Sequence, residues 1–316
     1  MQVTLAPMEG VVDHLMRDML TRVGGFDLCV TEFVRVVEQL LPKKVFYKYC
    51  PELYENGYTP AGVPVKVQLL GNHPEYLAEN AERAIELGSH GVDLNFGCPA
   101  KTVNKSKGGA VLLQEPETLY KVVKAVREAV PREHSVSAKI RLGYNDKSLA
   151  FENAQAIESA GADLLTIHAR TRDEAYDPPA HWHWIAKIKY RVDIPIVANG
   201  EIWGRESALA CQAESECEDI MIGRGALSMP NLAHVVKGHQ EPMLWCDVLD
   251  LLLSYSEYEI KGDKGCYFPN RIKQWLRYIT RQYEEAQSLY LRLRVLKSTP
   301  EIIDLLNKER QCSLHI

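Results

Sequence analysis

Eight short runs rich in β-branched and other apolar residues alternate with helical stretches along the first part of this chain. Parallel strands need a crossover between neighbours, so regular strand–helix alternation favours a parallel sheet. Eight such units within roughly 225 residues is the arithmetic of a (β/α)8 barrel, which predicts an α/β fold of the TIM-barrel type. The predicted strands are Val3–Ala6, Leu28–Thr31, Val65–Leu69, Val92–Asn95, Val136–Arg141, Leu164–His168, Ile194–Asn199 and Asp219–Gly223.

The strand pattern stops near Glu241, and the rest of the 316-residue chain has helical periodicity. Within one predicted helix, apolar side chains share a face, while Lys273, Arg277 and Arg281 recur at every fourth position on the other. We therefore expect a TIM barrel over residues 1–240 and an all-helical domain over residues 241–316. The predicted helices of this domain are Val248–Ile260, Arg271–Tyr283, Glu285–Leu296 and Pro300–Lys308.

Charge is distributed unevenly along the chain. The formal net charge is −5, yet the segment Lys261–Lys297 carries nine basic and three acidic residues. This segment therefore has a net charge of +6, and the remainder of the chain has −11. A cationic patch on an acidic body is typical of proteins that bind a polyanion. The alternative is a solvated helical face without a ligand.

Several classes of protein are excluded by composition. No strictly apolar run approaches the roughly 18 residues that a membrane span needs, and the N-terminal segment Met1–Pro7 lacks the basic lead of a signal peptide. The eight cysteines form no C-x-x-C pair, which favours reduced thiols over a disulfide framework or a metal site. We therefore expect a cytoplasmic protein without bound metal, and a monomer.

Each predicted strand ends in a cluster of polar or glycine residues. Active sites of (β/α)8 barrels form at the carboxyl ends of the strands. One polar loop is ordinary, but eight clusters in register predict a functional site. In chain order the clusters are Ala6-Pro7-Met8-Glu9-Gly10, Thr31-Glu32, Gln68, Asn95-Phe96-Gly97-Cys98-Pro99, Lys139 with Arg141, His168-Ala169-Arg170-Thr171-Arg172, Asn199-Gly200-Glu201 and Gly223-Arg224-Gly225.

The last two clusters are typical of a phosphate site. Barrels often bind phosphate at the loops after strands seven and eight, through backbone N–H groups. Asn199-Gly200 and Gly223-Arg224-Gly225 combine close backbone approach with a guanidinium. The chain has neither a G-x-G-x-x-G fingerprint at a strand–helix junction nor a P-loop. These residues therefore favour a mononucleotide cofactor over a dinucleotide held by a Rossmann fold.

Lys139 lies within an apolar predicted strand, so its ammonium must meet an anion or acceptor in the barrel mouth. A flavin suits such a position, because a lysine near its N1/O2 edge stabilises the negative charge of the reduced ring. Gln68 is expected to hydrogen-bond the same ring edge. The alternative is a structural pair between Lys139 and Glu32 or Glu9.

Cys98 follows a predicted strand, in a turn that Gly97 and Pro99 impose. The next residues, Lys101–Ala110, are basic and rich in glycine, which is typical of a mobile lid over an anionic substrate. Cysteines are often only small buried apolar residues. The position of Cys98 beside a candidate lid nevertheless favours a functional thiol.

Taken together, the strand-end motifs resemble those of the tRNA-dihydrouridine synthases, and they follow one another in order through the whole barrel. Glu9, the segment Thr31-Glu32-Phe33-Val34-Arg35 and the Asn199 motif are most similar to the bacterial branch associated with position 16 of the tRNA D-loop. The motifs are Ala6-Pro7-Met8-Glu9-Gly10-Val11, Val67-Gln68-Leu69-Leu70-Gly71, Asn95-Phe96-Gly97-Cys98-Pro99-Ala100-Lys101, Lys139-Ile140-Arg141-Leu142-Gly143, His168-Ala169-Arg170-Thr171-Arg172, Asn199-Gly200-Glu201-Ile202 and Met221-Ile222-Gly223-Arg224-Gly225-Ala226.

The resemblance implies that a D-loop uridine of tRNA is reduced to 5,6-dihydrouridine, with FMN as cofactor and NADPH as reductant. It implies hydride transfer to C6 and a proton from the Cys98 thiol to C5; a Cys98 thiolate beside Lys101 is the alternative. The implied FMN contacts are Pro7, Met8, Glu9, Gln68, Lys139, His168, Asn199, Gly200, Glu201, Gly223 and Arg224. The expected tRNA contacts are Arg35, Asn95, Tyr176, Arg271, Lys273 and Arg294.

Two other functions are compatible with parts of this pattern. A flavin barrel that reduces a small pyrimidine or enone would share the phosphate site, the lysine and the chemistry, but it would not need the basic helical segment. A non-catalytic RNA-binding protein on a decayed barrel would need that segment, but it would not need Cys98, Lys139 and Arg224.

Overall fold

Eight parallel strands form a closed barrel in the computed structural model, which describes residues 1–261 and 265–313. Each strand pairs with the next in the chain, and pairing of the first with the last, with Thr4 opposite Met221, closes the cylinder. The predicted (β/α)8 architecture is therefore confirmed. The strands are β1 (Val3–Leu5), β2 (Leu28–Arg35), β3 (Val65–Leu70), β4 (Val92–Phe96), β5 (Val136–Arg141), β6 (Leu164–His168), β7 (Ile196–Asn199) and β8 (Ile220–Ile222).

Helices surround the barrel and continue beyond it. The connections between strands contain α1 (His14–Val23), α2 (Lys43–Tyr49), α3 (Pro74–Glu86), α4 (Lys101–Lys105), α5 (Pro116–Ala129), α6 (Ala150–Ser159), α7 (Trp182–Lys189) and α8 (Arg205–Ser215). After β8 follow α9 (Arg224–Ser228), α10 (Leu232–Lys237), α11 (Trp245–Lys261), α12 (Phe268–Ile279), α13 (Glu284–Leu293) and α14 (Thr299–Ser313). Three short 3-10 helices cover Pro51–Glu55, Gly109–Gln114 and Gly265–Tyr267.

The apolar core lies between the strands and the surrounding helices. Helix α5 shows why: it begins with Pro116, whose fixed φ suits a first helical position, and buries Leu119, Val122 and Val126 at helical spacing. The strands are buried on both faces, which explains their nearly continuous apolar runs. Packing of this kind makes the barrel a rigid support for the side chains at its carboxyl end.

The helices after β8 pack against the barrel through α11, which contacts α1, and through α12, whose Arg271 bonds the β1–α1 connection. The predicted apolar face of α12 is confirmed, because Ile272, Trp275, Leu276 and Ile279 are buried. The indole Nε1 of Trp275 donates to the carbonyl of Leu227 at 3.2 Å. Of the predicted basic segment, Asp263 and Lys264 lie outside the described residues, as does the side chain of Lys261.

The predicted end of the second strand was wrong. Strand β2 continues past Thr31 as far as Arg35, because a bulge between Val30 and Phe33 shifts its register against β3 and lets pairing resume. The predicted strand end at Thr31 leaves Arg35 in the following loop, but Arg35 is the last residue of β2. The predicted lid also contains regular structure, since Lys101–Lys105 is a helical turn.

Candidate active site

The carboxyl ends of the strands surround a cavity of about 530 Å³. This volume lies within the usual range for small-molecule and cofactor sites. Its lining includes residues from strand ends around the whole barrel, as the strand-end rule predicts. The predicted site residues that line it are Pro7, Met8, Glu9, Gln68, Asn95, Cys98, Lys139, His168, Tyr176, Asn199, Gly200, Glu201, Gly223 and Arg224. Arg141, which was predicted only as part of a strand-end cluster, also lines the cavity, and so do Phe33, Trp203 and Tyr278, for which no role was predicted.

One side of the cavity is organised around the carboxylate of Glu201. It forms an ion pair with Arg170 at 2.9 Å and a weaker one with Arg224 at 3.3 Å, and it accepts a hydrogen bond from Trp203 Nε1 at 3.1 Å. A carboxylate cannot accept a hydrogen bond from an ionised phosphate. Glu201 therefore orients the guanidinium of Arg224 for an anion, and its own side chain is not an anion ligand.

Aromatic rings extend this cationic side. The Arg224 guanidinium lies 4.7 Å from the ring centre of Tyr176 and 5.0 Å from that of Trp203. Arg281 lies 3.7 Å from the ring centre of Trp203, and Arg141 lies 5.2 Å from that of Tyr176. Stacking of this kind holds guanidinium groups in fixed planes. Neither Trp203 nor its contact with Arg281 was predicted.

Backbone approach to the cavity depends on glycine at two positions. Gly200 has φ +123°, and a Cβ there would lie 2.9 Å from the His168 ring. A Cβ at Gly223 would lie 3.3 Å from the sulfur of Met8. Glycine at these two positions therefore lets His168 and Met8 pack close to the main chain that borders the cavity.

Lys139 projects into the cavity as predicted. Its Nζ donates to Asn199 Oδ1 at 3.1 Å. Burial, assisted by the neighbouring Arg141, lowers the pKa of the Lys139 ammonium to about 8. The alternative pair with Glu32 or Glu9 is not formed, and Glu32 instead accepts the N–H of Gly10.

Cys98 is half-buried at the edge of the cavity, in the turn after β4. Asn95 Oδ1 accepts the backbone N–H groups of Gly97 and Cys98, both at 3.0 Å, which fixes this turn. Burial raises the pKa of the Cys98 thiol, and the carboxylate of Glu9 adds to the rise. The thiol is therefore protonated at neutral pH, which suits a proton donor better than a nucleophile.

His168 lines the cavity as a neutral ring. Burial, together with the cationic groups of Arg141 and Lys139, holds its pKa well below the ordinary value. Its Nε2 lies 3.4 Å from Arg170 Nη1, which can only donate. The ring proton is therefore assigned to Nδ1.

The four predicted tRNA contacts outside the cavity have different surroundings. Arg35 is exposed and donates to Ser106 Oγ at 2.7 Å. Arg271 forms an ion pair with Asp13 at 2.9 Å and also bonds the main chain of the β1–α1 connection. Lys273 donates to a main-chain carbonyl after α13, and Arg294 is exposed.

The residues of the cavity fit FMN. Lys139, Arg141 and Arg224 outweigh Glu9 and Glu201 in charge, and Glu201 is already paired with arginines. An ammonium that donates to one amide oxygen keeps two N–H groups for a ligand. A phosphate would balance the excess positive charge of the cavity, and an electron-rich ring edge would accept the remaining N–H groups of Lys139.

Two further observations concern metal binding and membrane-spanning helices. In the described ranges, no three or more His, Cys, Asp and Glu side chains are grouped so that they could hold a metal ion. Among the helices of residues 1–261 and 265–313, none has the length and apolar character needed to cross a bilayer.

Comparison with known proteins identifies close relatives. A family model described as dihydrouridine synthase matches residues 4–297. The chain is 59% identical to the tRNA-dihydrouridine(16) synthase of Shewanella oneidensis, covering 98% of each protein. It is 53% identical to the enzyme of that name from Escherichia coli K12, covering 96% of each.

Solved structures show the same barrel at low sequence identity. The old yellow enzyme homologue from Zymomonas mobilis superposes with a TM-score of 0.53 at 13% identity, covering 77% of this chain and 90% of that one. At this identity the likeness concerns the fold alone.

Proposed function

Since the chain belongs to the dihydrouridine synthase family, we propose that it reduces one uridine of the tRNA D-loop to 5,6-dihydrouridine. We assign the reaction to position 16, because the curated relatives that share 50–59% of their residues with it carry that position in their name. The observation that carries the proposal is that Cys98, Lys139 and Arg224 line one cavity at the carboxyl ends of the strands.

We propose FMN as the cofactor and NADPH as the reductant. Bound FMN, once reduced by NADPH, would supply hydride to C6 of the uracil ring. Arg224 and the main chain at Gly200 and Gly223 would hold its phosphate. Lys139 would face the ring edge, and Pro7 and Met8 would flank the ring.

The Cys98 thiol would donate a proton to C5. The C5=C6 bond of uracil is conjugated to the C4 carbonyl, so hydride addition at C6 makes C5 basic. A thiol with a raised pKa keeps its proton until that moment. Asn95 holds the turn that carries Cys98, so the sulfur meets the ring from a fixed position.

A base stacked in folded RNA must leave its stack to reach this cavity. Asn95 and Tyr176 would contact the extruded base. Arg35, Arg271, Lys273 and Arg294 would contact the tRNA outside the cavity. We thus assign catalysis to residues 1–240 and tRNA binding chiefly to residues 241–316, in a monomeric, cytoplasmic enzyme.

The decisive experiment combines cofactor and product analysis. We expect purified protein to be yellow and to bind FMN. With NADPH and a tRNA transcript that has uridine at position 16, it should form dihydrouridine there, and a transcript with uridine at neighbouring positions only should stay unmodified.

The same assay separates the competing functions. Turnover of free uridine at a rate similar to that of tRNA would favour a small-molecule reductase and contradict the proposal. A protein that binds tRNA but does not take up flavin would favour a non-catalytic RNA-binding protein.

A further inference from the structure

A carboxylate is buried inside the barrel below the cavity. Asp93, in β4, is 1% exposed. Its two oxygens accept hydrogen bonds from Ser137 Oγ and Gln68 Nε2, both at 2.7 Å. Burial raises the pKa of Asp93, but these two donors and the ammonium groups of Lys66 and Lys139 oppose the rise.

The hydrogen bonds continue from Gln68 to the turn of Cys98. Gln68 Oε1 accepts from Asn95 Nδ2 at 2.7 Å. Asn95 Oδ1 in turn accepts the N–H groups of Gly97 and Cys98. A continuous series of hydrogen bonds therefore links the barrel interior to the main chain of Cys98. We term its members the Asp93 chain: Ser137, Asp93, Gln68 and Asn95.

The chemistry of the two ends determines the direction of every bond between them. Both oxygens of Asp93 accept hydrogen bonds, so Gln68 turns its amide nitrogen toward Asp93 and its oxygen toward Asn95. The main-chain N–H groups at the other end only donate, so they require the oxygen of Asn95. Either amide turned around would set donor against donor or acceptor against acceptor.

This direction also determines what the cavity offers to a ligand. Gln68 and Asn95 both line the cavity, and each amide nitrogen has a second N–H. Among the described residues neither second N–H meets a protein acceptor. Gln68 is fully buried, whereas Asn95 is 9% exposed and therefore presents a donor, which matches a carbonyl oxygen of the base. Uracil has an oxygen at C4 where cytosine has an amino group, itself a donor.

We propose that Asp93 is the positioning residue that orients Gln68 and Asn95, and thereby places Cys98 and selects uracil over cytosine. This inference rests on the proposed function, since it assumes that Cys98 acts on a uridine. Asp93 is not among the residues that line the cavity, so it would act through Gln68 and Asn95.

The test compares Asp93→Ala with Asp93→Asn in the FMN-loaded enzyme. The alanine removes the acceptor, so Gln68 can rotate and release Asn95. We expect kcat for tRNA reduction to fall about 100-fold, the scale of an ångström-sized misplacement of a reacting group. The amide introduced by Asp93→Asn can still accept from Gln68 through its oxygen, so we expect this variant to stay within about fivefold of the parent protein.

Two readouts distinguish positioning from a general loss of structure. Alkylation of Cys98 by iodoacetamide, followed by mass spectrometry of its peptide, should be about fivefold faster in Asp93→Ala, with the exposed Cys266 and Cys312 unchanged as internal references. The preference in binding for tRNA with uridine over cytidine at the target should shrink by a similar factor in the same variant.

Three outcomes would overturn the inference. They are a parental kcat in Asp93→Ala, equal losses in both variants, and faster alkylation of all three cysteines together. An inactive parent protein would instead refute the proposed function, which keeps the two failures distinguishable.

Discussion

The barrel mouth and the helices after β8 both contain predicted functional residues, but the two sets of residues have different surroundings. At the mouth, Lys139, Cys98 and Arg224 come from different strand ends and line one cavity. In the helical region, Arg271 and Lys273 each bond other parts of the protein. Barrel closure alone brings strand ends together, whereas helical spacing places a charge on a face without deciding what it meets.

A count of basic residues therefore overestimates the surface that is available to bind tRNA. Arg271 joins α12 to the β1–α1 connection through Asp13, and Arg281 stacks on Trp203 of the barrel. These cations attach the helical region to the barrel mouth. The cations left for tRNA are fewer than the net charge of +6 in the segment suggests.

The largest effect is expected at the mouth, from Cys98→Ala. Removal of a general acid typically costs about 10²–10⁴-fold in rate. We expect a loss in this range for tRNA reduction, while the visible spectrum of bound FMN stays unchanged. In the parent enzyme kept saturated with FMN, the rate should hold up to pH values above the ordinary thiol pKa of 9.0, because the pKa of Cys98 is raised and the acid form persists.

Normal turnover by Cys98→Ala would remove the thiol from the mechanism. It would also contradict the view that residues of the barrel mouth take part in the chemistry, whereas residues of the helical region only bind tRNA.

Arg224→Leu should weaken FMN binding. A hydrogen bond to a charged group contributes about 1.5–3 kcal/mol, so we expect the Kd for FMN to rise about 10- to 100-fold in titrations of the apoprotein. Arg132, exposed in the α5–β5 connection at the opposite end of the barrel, provides the matched control. An equal loss in Arg132→Leu would mean that the effect is not local to the cavity.

Much of this mouth was predictable, and the reason is geometric. Alternation and strand count define a closed barrel, and closure places Lys139, His168 and Arg224 around one opening without knowledge of any contact. The apolar face of α12 was predictable for a similar reason, since periodicity alone defines a face.

Other features depend on register and long-range contacts, which periodicity does not reveal. Gln68 pairs with Asp93 across β3 and β4, so the Asp93 chain appears only once strand register is known. The bulge in β2 moved Arg35 from a loop into a strand. The stack of Arg281 on Trp203 joins two regions far apart in the chain, and no local pattern marks it.

Lys139 predicts a pH dependence of FMN binding. Its pKa of about 8 means that the ammonium is lost as pH rises through that value. A ligand that contacts the ammonium binds the protonated form better, so affinity should fall up to about tenfold between about pH 7 and about pH 9. The phosphate of FMN is already doubly ionised over this range, since its second pKa is about 6.

Lys139→Met supplies the control for this dependence. The variant should bind FMN more weakly at neutral pH and show little change in Kd over the same range. A parallel decline in both proteins would assign the pH dependence to another group and weaken the role of Lys139 at the ring edge.

The smallest effect is expected in the helical region, where two arginines on and just after α13 differ in surroundings. Arg292 forms an ion pair with Glu309, whereas Arg294 is exposed and no hydrogen bond of its side chain is observed among the described residues. We expect Arg294→Gln to raise the Kd for tRNA about fivefold. The slope of log Kd against log salt should fall by about 1, as for the loss of one phosphate contact.

Arg292→Gln is the matched control, because it removes the same charge from the same segment. Glu309 already neutralises the charge of Arg292, so the effect of this variant on the Kd and on the salt slope should be smaller. If the two variants weaken tRNA binding equally, overall charge governs binding and the local surroundings of each cation do not. If neither variant weakens tRNA binding, the tRNA is bound by other residues. The cations of the helical region would then serve only to attach that region to the barrel mouth.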